Sequence, residues 1–114
     1  MQGFQNFING KQVDAADGRT TAVINPATGE QYATAPLSGE ADVHAAMTAA
    51  STAFEGWKDS TPSERSLALF RIADAVEARA EELIALEVEN TGKPFGLTRS
   101  EEIPPMVDQI RFFA

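Results

Sequence analysis

The apolar positions of this chain change rhythm part-way along. Before Leu37 they fall in short β-rich runs separated by turn residues; from Val43 onward they recur every three or four positions. In the first stretch, Phe7-Ile8 and Gln12-Val13 flank Asn9-Gly10. That pair suits a two-residue type I′ turn, in which both central residues need φ > 0. Asp17-Gly18 marks a second turn. The run T-T-A-V-I at 20–24 and the run Q-Y-A-T-A at 31–35 then read as strands joined by the N-P-A-T-G turn at 25–29. Residues 1–37 are therefore expected to form a β-meander of two hairpins. Two hairpins alone are marginal in water and need a surface to pack on.

The second stretch, 38–114, reads as helical. Ser38 is the expected N-cap of a first helix, with Glu40 and Asp42 in its first turn. Its apolar stripe runs Val43, Ala46, Met47, Ala50, Ala53, Phe54 and Trp57, and Phe54 and Trp57 are expected in the core. Thr61-Pro62-Ser63-Glu64 spells a capping box with proline at the first helical position. There the cap hydroxyl and the Glu carboxylate satisfy otherwise orphaned N–H groups, and Pro has none to lose. One long helix should follow, with Leu69, Phe70, Ala73, Val76, Ala80, Leu83, Ile84 and Val88 on one face. It should stop at Asn90-Thr91-Gly92-Lys93-Pro94. A third helix starts near Ser100, carrying Met106, Val107, Ile110 and Phe113 on one face, with Pro104-Pro105 limiting where its regular part begins. The expected fold class is an α+β fragment of two N-terminal β-hairpins followed by three amphipathic helices. The chain stops at Ala114, inside an apolar stripe and without a cap or polar tail, as a cut end does.

Composition narrows the chemistry. The 114 residues suffice for one domain at most. The net charge of −8 argues against nucleic acid or an anionic membrane as partner, because both need a basic patch. With no cysteine there is no disulfide, zinc–thiolate site or thiol nucleophile within the chain. The amino terminus has neither a basic region nor an apolar core of the signal-peptide kind, and no apolar run is long enough to span a bilayer, so the expected location is cytoplasmic. The single histidine, His44, falls opposite the apolar stripe and reads as a solvated surface residue. Glu77, Glu81, Glu82, Glu87 and Glu89 interleave with Arg71 and Arg79, the pattern of a solvated helix face. No glycine-rich phosphate loop occurs. The residues alone contain no catalytic constellation.

Five blocks carry a resemblance: F-I-N-G-K-Q-V-D at 7–14, V-I-N-P-A-T-G-E at 23–30, A-F-E-G-W at 53–57, P-S-E-R at 62–65 and T-G-K-P at 91–94. In this order and spacing they resemble the amino-terminal region of the NAD(P)-dependent aldehyde dehydrogenase superfamily, from about Phe7 to Ala114. The tail E-I-P-P-M-V-D-Q-I-R-F-F-A at 102–114, with Asn90 ahead of T-G-K-P, is most similar to the γ-aminobutyraldehyde and betaine aldehyde dehydrogenase branch. The I-N-P-A-T-G block is shared with succinate-semialdehyde dehydrogenases.

The resemblance implies a parent enzyme that oxidises an aldehyde, such as the aminoaldehyde 4-aminobutanal, to its carboxylate with NAD. That chemistry uses a cysteine thiolate, a glutamate base and an oxyanion-holding asparagine, all beyond the position where this chain stops. No catalytic or cofactor-binding residue therefore transfers to it, and alone it is expected to be inactive. The resemblance also implies a structural K⁺ or Na⁺ held by the backbone carbonyls of Val23 and Ile24 and the side chain of Asn90, oxygen donors of the kind a hard cation takes. Residues 1–37 become a β-hairpin arm, and 38–114 a helical part leading into an absent dinucleotide-binding core. The implied partner is the remainder of the dehydrogenase, or a second copy of the chain, which is commonly dimeric or tetrameric in this family. A stand-alone structural or interaction module derived from the arm is the other class of function left open, since uncovered edges and stripes favour association.

Overall fold

The computed structural model describes residues 2–114. They form two compact units. The residues through Asn25 with Gly29–Asp59 make one, and Pro26–Thr28 with Ser60–Ala114 make the other.

The first unit holds the strands β1 (Gln2–Gly3), β2 (Asn6–Ile8), β3 (Lys11–Val13), β4 (Thr20–Ile24) and β5 (Gln31–Pro36), and the helix α1 (Glu40–Trp57). Both expected hairpins form. β2 pairs antiparallel with β3, Phe7 opposite Gln12, and the turn takes positive φ at Asn9 (52°) and Gly10 (74°). β4 pairs antiparallel with β5, Val23 opposite Ala33, and Ala33 is fully buried.

They are not a meander. β2–β3 is a separate two-stranded sheet, and the other sheet has the order β1-β5-β4, with β1 parallel to β5. Between β3 and β4 the backbone is committed elsewhere: Gly18 N–H bonds Ala15 O at 2.8 Å, and Ala16 N–H bonds the Asp42 carboxylate at 2.8 Å. The two-residue strand β1 is too short to show an alternating pattern. Its pairing is visible only in three dimensions, where Phe4 N–H also donates to Thr34 O at 2.8 Å.

Helix α1 begins one residue later than expected. Gly39, not Ser38, is its N-cap, and the Asp42 carboxylate three residues on accepts the Gly39 N–H at 2.8 Å. Ser38 Oγ instead accepts a hydrogen bond from the Asn6 amide at 2.8 Å. The expected core stripe is exposed: Val43 59%, Met47 66%, Phe54 57% and Trp57 50%. The placement of Phe54 and Trp57 in the core is thus corrected. The hairpin meets α1 along its small residues, where Phe7 and Ile8 border a groove with Ala46, Ala49, Ala50 and Ala53. A face of alanines admits a close neighbour, and Val43 borders Phe7 and Ile8 at the start of the same helix.

The second unit contains α2 (Pro62–Ala78), α3 (Ala80–Thr91), the short α4 (Phe95–Leu97), a π-helical turn Thr98–Glu102, and α5 (Ile103–Phe113). The capping box forms as spelled. Glu64 N–H donates to Thr61 Oγ1 at 3.2 Å and Thr61 N–H donates to Glu64 Oε2 at 2.7 Å. The single long helix expected from Pro62 to Val88 is instead two helices, broken at Arg79, whose backbone leaves the helical range at φ −110°, ψ 20°.

The break turns two faces onto one core. Ala73 of α2, Ile84 of α3, and Ile103 and Val107 of α5 are all buried, with Val76, Leu83, Val88 and Ile110 packed around them. Four longer helices and the short α4 thus replace the three expected. Pro104 and Pro105 sit in the first turn of α5, where missing N–H groups cost least.

Helix α3 stops at Gly92, which is left-handed at φ 72° and donates its N–H to Val88 O at 2.9 Å. A Cβ at this position would also lie 3.0 Å from Cγ of Pro26, in the same unit. Gly92→Ala is therefore expected to lose about 2 kcal/mol, the left-handed penalty plus a contact that must be relieved. Urea denaturation checks it, and a neutral result would mean that the backbone relaxes out of the left-handed region.

Candidate functional site

The polar groups of the second unit form four local ion-pair groups. Arg111 of α5 reaches back to α2, with Nη2 at 2.8 Å from Asp74 and 2.7 Å from Glu77. Lys93 Nζ lies 3.0 Å from both Glu87 and Glu102, joining α3 to the end of the π-helical turn. Arg79 pairs with Glu82 at 2.6 Å, and Arg99 pairs with Glu81 while stacking on the Phe95 ring at 4.9 Å. Every carboxylate that these groups use is thus paired with a cation, Arg111 and Lys93 each serving two.

The hydrogen bonds from Arg111 hold the Glu77 carboxyl below the usual glutamate range, and Glu87 and Glu102 hold the Lys93 ammonium above its usual range. A carboxyl depressed in the folded state contributes stability above its unfolded pKa and loses it as pH falls through the folded one. The Glu77 contribution should hence persist into the acid range. The expected outcome is an NMR titration of Glu77 with a midpoint below that of an unstructured glutamate, returning to the ordinary value in Arg111→Gln. Equal midpoints in the two proteins would remove the pair from the account.

Among the described residues of the first unit the one buried acid is Asp42, 7% exposed. Both its oxygens accept backbone N–H groups, from Gly39 and from Ala16, so it is a structural staple. By sequence alone Asp42 is an acidic residue of the first helical turn. Its spacing of three from Gly39 was the available signal, whereas the Ala16 contact, 26 residues away in the chain, left none. His44 is exposed, as expected. Among the described residues no group of three or more His, Cys, Asp or Glu is placed to hold a metal ion.

The residues implied as cation donors are each placed by their own unit. Val23 and Ile24 end β4, and the ladder to β5 shifts register between them: Val23 faces Ala33 while Ile24 faces Gln31. Past them the turn is closed by Gly29 N–H to Asn25 O at 2.8 Å and Asn25 N–H to Glu30 O at 2.9 Å. Asn90 is exposed in the last turn of α3. No helix among the described residues is long and apolar enough to cross a membrane.

Among the described residues no buried side-chain polar atom lacks a hydrogen-bond partner. The sequence profile of the aldehyde dehydrogenase family matches residues 13–114, and the chain belongs to that family. The 2-aminomuconic semialdehyde dehydrogenase of Bos taurus is 41% identical over 110 residues, covering 96% of this chain and 22% of the relative. The 2-hydroxymuconic semialdehyde dehydrogenase of Pseudomonas sp. (strain CF600) is 39% identical, covering 100% of this chain and 24% of the relative. Among solved structures, the NAD⁺ complex of an aldehyde dehydrogenase from Bacillus cereus superposes with a TM-score of 0.94 at 35% identity, over 98% of this chain and 23% of that one. The chain thus spans between a fifth and a quarter of the length of these relatives. The α+β architecture expected from the sequence is that of the corresponding part of the family fold.

Proposed function

We propose that this chain is the amino-terminal part of an NAD-dependent enzyme that oxidises an aldehyde to its carboxylate. The observation that carries the reading is the joint match of sequence and fold: the family profile over residues 13–114 and a TM-score of 0.94 to an aldehyde dehydrogenase solved with NAD⁺. The test is the reading frame past Ala114. The expected frame stays open into a dehydrogenase body, and the longer protein forms NADH when given an aldehyde. A stop codon directly after Ala114 would sink the enzyme reading and favour a stand-alone interaction module, which the exposed apolar residues of α1 support. In the enzyme reading those residues face the remainder of the dehydrogenase or a second copy.

For the substrate, the similarity of the tail 102–114 supports an aminoaldehyde such as 4-aminobutanal. The names of the two relatives above support a muconic semialdehyde as the second reading. Comparing kcat/KM for the two aldehydes on the longer protein separates them, since their ratio measures the difference in transition-state binding. The structural K⁺ or Na⁺ of Val23, Ile24 and Asn90 belongs to the same proposal and is supported by the resemblance alone. A Tm that stays constant when potassium and sodium are replaced by choline removes it.

A further inference from the structure

We infer that Asn9 is a site of spontaneous modification, at which the turn Asn9-Gly10 deamidates in the folded chain. Asparagine is the thermolabile side chain here because its own amide carbon can be attacked by the next backbone nitrogen. The attack is easiest when the next residue is glycine, which has no side chain to obstruct it. Of the four asparagines, only Asn9 precedes glycine.

The structure makes that position accessible. Asn9 and Gly10 are both exposed, and nothing lies within 4 Å of where a Gly10 Cβ would be. The Gly10 N–H lies outside the ladder, whose pairs are Asn6 with Val13, Phe7 with Gln12 and Ile8 with Lys11. Closing the ring requires a rotation about the Asn9 backbone. The three residue pairs and the side-chain bonds Gln5–Asp14 and Asn6–Ser38 resist it, all of them outside the two turn residues, and Phe7 is 74% exposed.

The other asparagines are internal controls. Asn6 precedes phenylalanine and donates its amide to Ser38 Oγ at 2.8 Å. Asn25 precedes Pro26, which has no N–H to attack with. Asn90 precedes the β-branched Thr91 within the last turn of α3.

In the reaction, base removes the Gly10 amide proton, and the nitrogen bonds to Cγ of Asn9. The Cγ–Nδ2 bond breaks, and Nδ2 leaves as ammonia. Water then opens the five-membered imide. Attack at Cγ leaves aspartate, which the turn tolerates because Asp-Gly also suits type I′. Attack at the main-chain carbonyl routes the backbone through Cβ as isoaspartate. The extra backbone atom no longer fits a two-residue turn, so the β2–β3 register is lost. The modification thus acts as a one-way, age-dependent opening of this hairpin.

The test is timed incubation of the purified chain in mildly alkaline buffer, with a synthetic peptide of residues 5–14 in parallel. Peptide mass spectrometry reads each asparagine, and isoaspartyl methyltransferase labelling reads the isomer. The expected result is conversion of half of Asn9 while Asn6, Asn25 and Asn90 remain intact, with faster amide exchange at Ile8 and Lys11 in the isoaspartate fraction. Asn9→Asp, which has no side-chain amide to lose, should abolish the ammonia release. An Asn9 that stays intact in the chain over a period in which the peptide converts overturns the inference, because the hairpin would then protect it. Conversion spread evenly over the asparagines overturns it as well.

Discussion

Replacing Ile84 by alanine is expected to destabilise the helical unit by about 2–5 kcal/mol, the range for truncating a buried isoleucine. Ile84 is 1% exposed and touches the point where α2, α3 and α5 meet, beside Ala73, Ile103 and Val107. Ala73 has no bulk to move inward, and Ile103 and Val107 are held by a helix that Arg111 ties to α2. The site cannot collapse, so the cavity term adds to the lost transfer energy. A graded series sharpens the test. Ile84→Val should cost roughly 0.5–1.5 kcal/mol and Ile84→Ala several times that. Both are read from denaturant midpoints, with the slope checked for two-state behaviour. An alanine variant that loses less than about 1 kcal/mol would show that the three helices do not share one packed core.

The second large effect is expected at Asp42 in the other unit. Asp42→Ala removes the acceptor for two backbone donors at once, Gly39 N–H at the start of α1 and Ala16 N–H in the β3–β4 connection. Hydrogen bonds to a charged acceptor contribute about 1.5–3 kcal/mol each, and a buried donor left unpaired carries its own desolvation cost. Water can reach part of the vacated space, so a loss of about 3 kcal/mol is expected. Asp42→Asn keeps one acceptor oxygen and should lose about half as much. Amide exchange at Ala16 is the specific readout. If Ala16 exchanges no faster in the alanine variant while global stability falls, the staple between the loop and α1 is not what Asp42 provides.

These two residues differ in how far the sequence reveals them. Ile84 lies on a 3.6-residue stripe that continues from Leu83 to Val88, and its burial was expected from that period alone. Asp42 was expected to be an ordinary first-turn acid, because its second donor comes from 26 residues away. Most local signals hold, the Ser38 cap, displaced by one residue to Gly39, being an exception. The Asn9-Gly10 turn, the Thr61–Glu64 capping box and the left-handed stop at Gly92 all form where their residues stand. Each is decided within a few bonds by φ preferences or by one side chain reaching one backbone group.

Non-local features leave no such local signal. The pairing of β1 with β5, the separation of the two hairpins into different sheets, and the break at Arg79 depend on partners distant in sequence. No glycine or proline marks Arg79, and the helix breaks there because both flanking segments bury apolar faces against α5. The apolar side of α1 shows the limit most clearly. Its period predicts a buried stripe, and periodicity does specify which residues share a face. Whether that face is covered depends on what packs on it. Among the described residues Met47, Phe54 and Trp57 are half or more exposed.

The same division holds for function. Ordered blocks of sequence determined the family, because turns and caps at those spacings are set locally and can be read one by one. Only the tertiary structure decided which acids are structural. A carboxylate's role follows from the groups brought within hydrogen-bonding distance, and for Asp42, Glu77 and Glu102 the chain's own path brings those groups together.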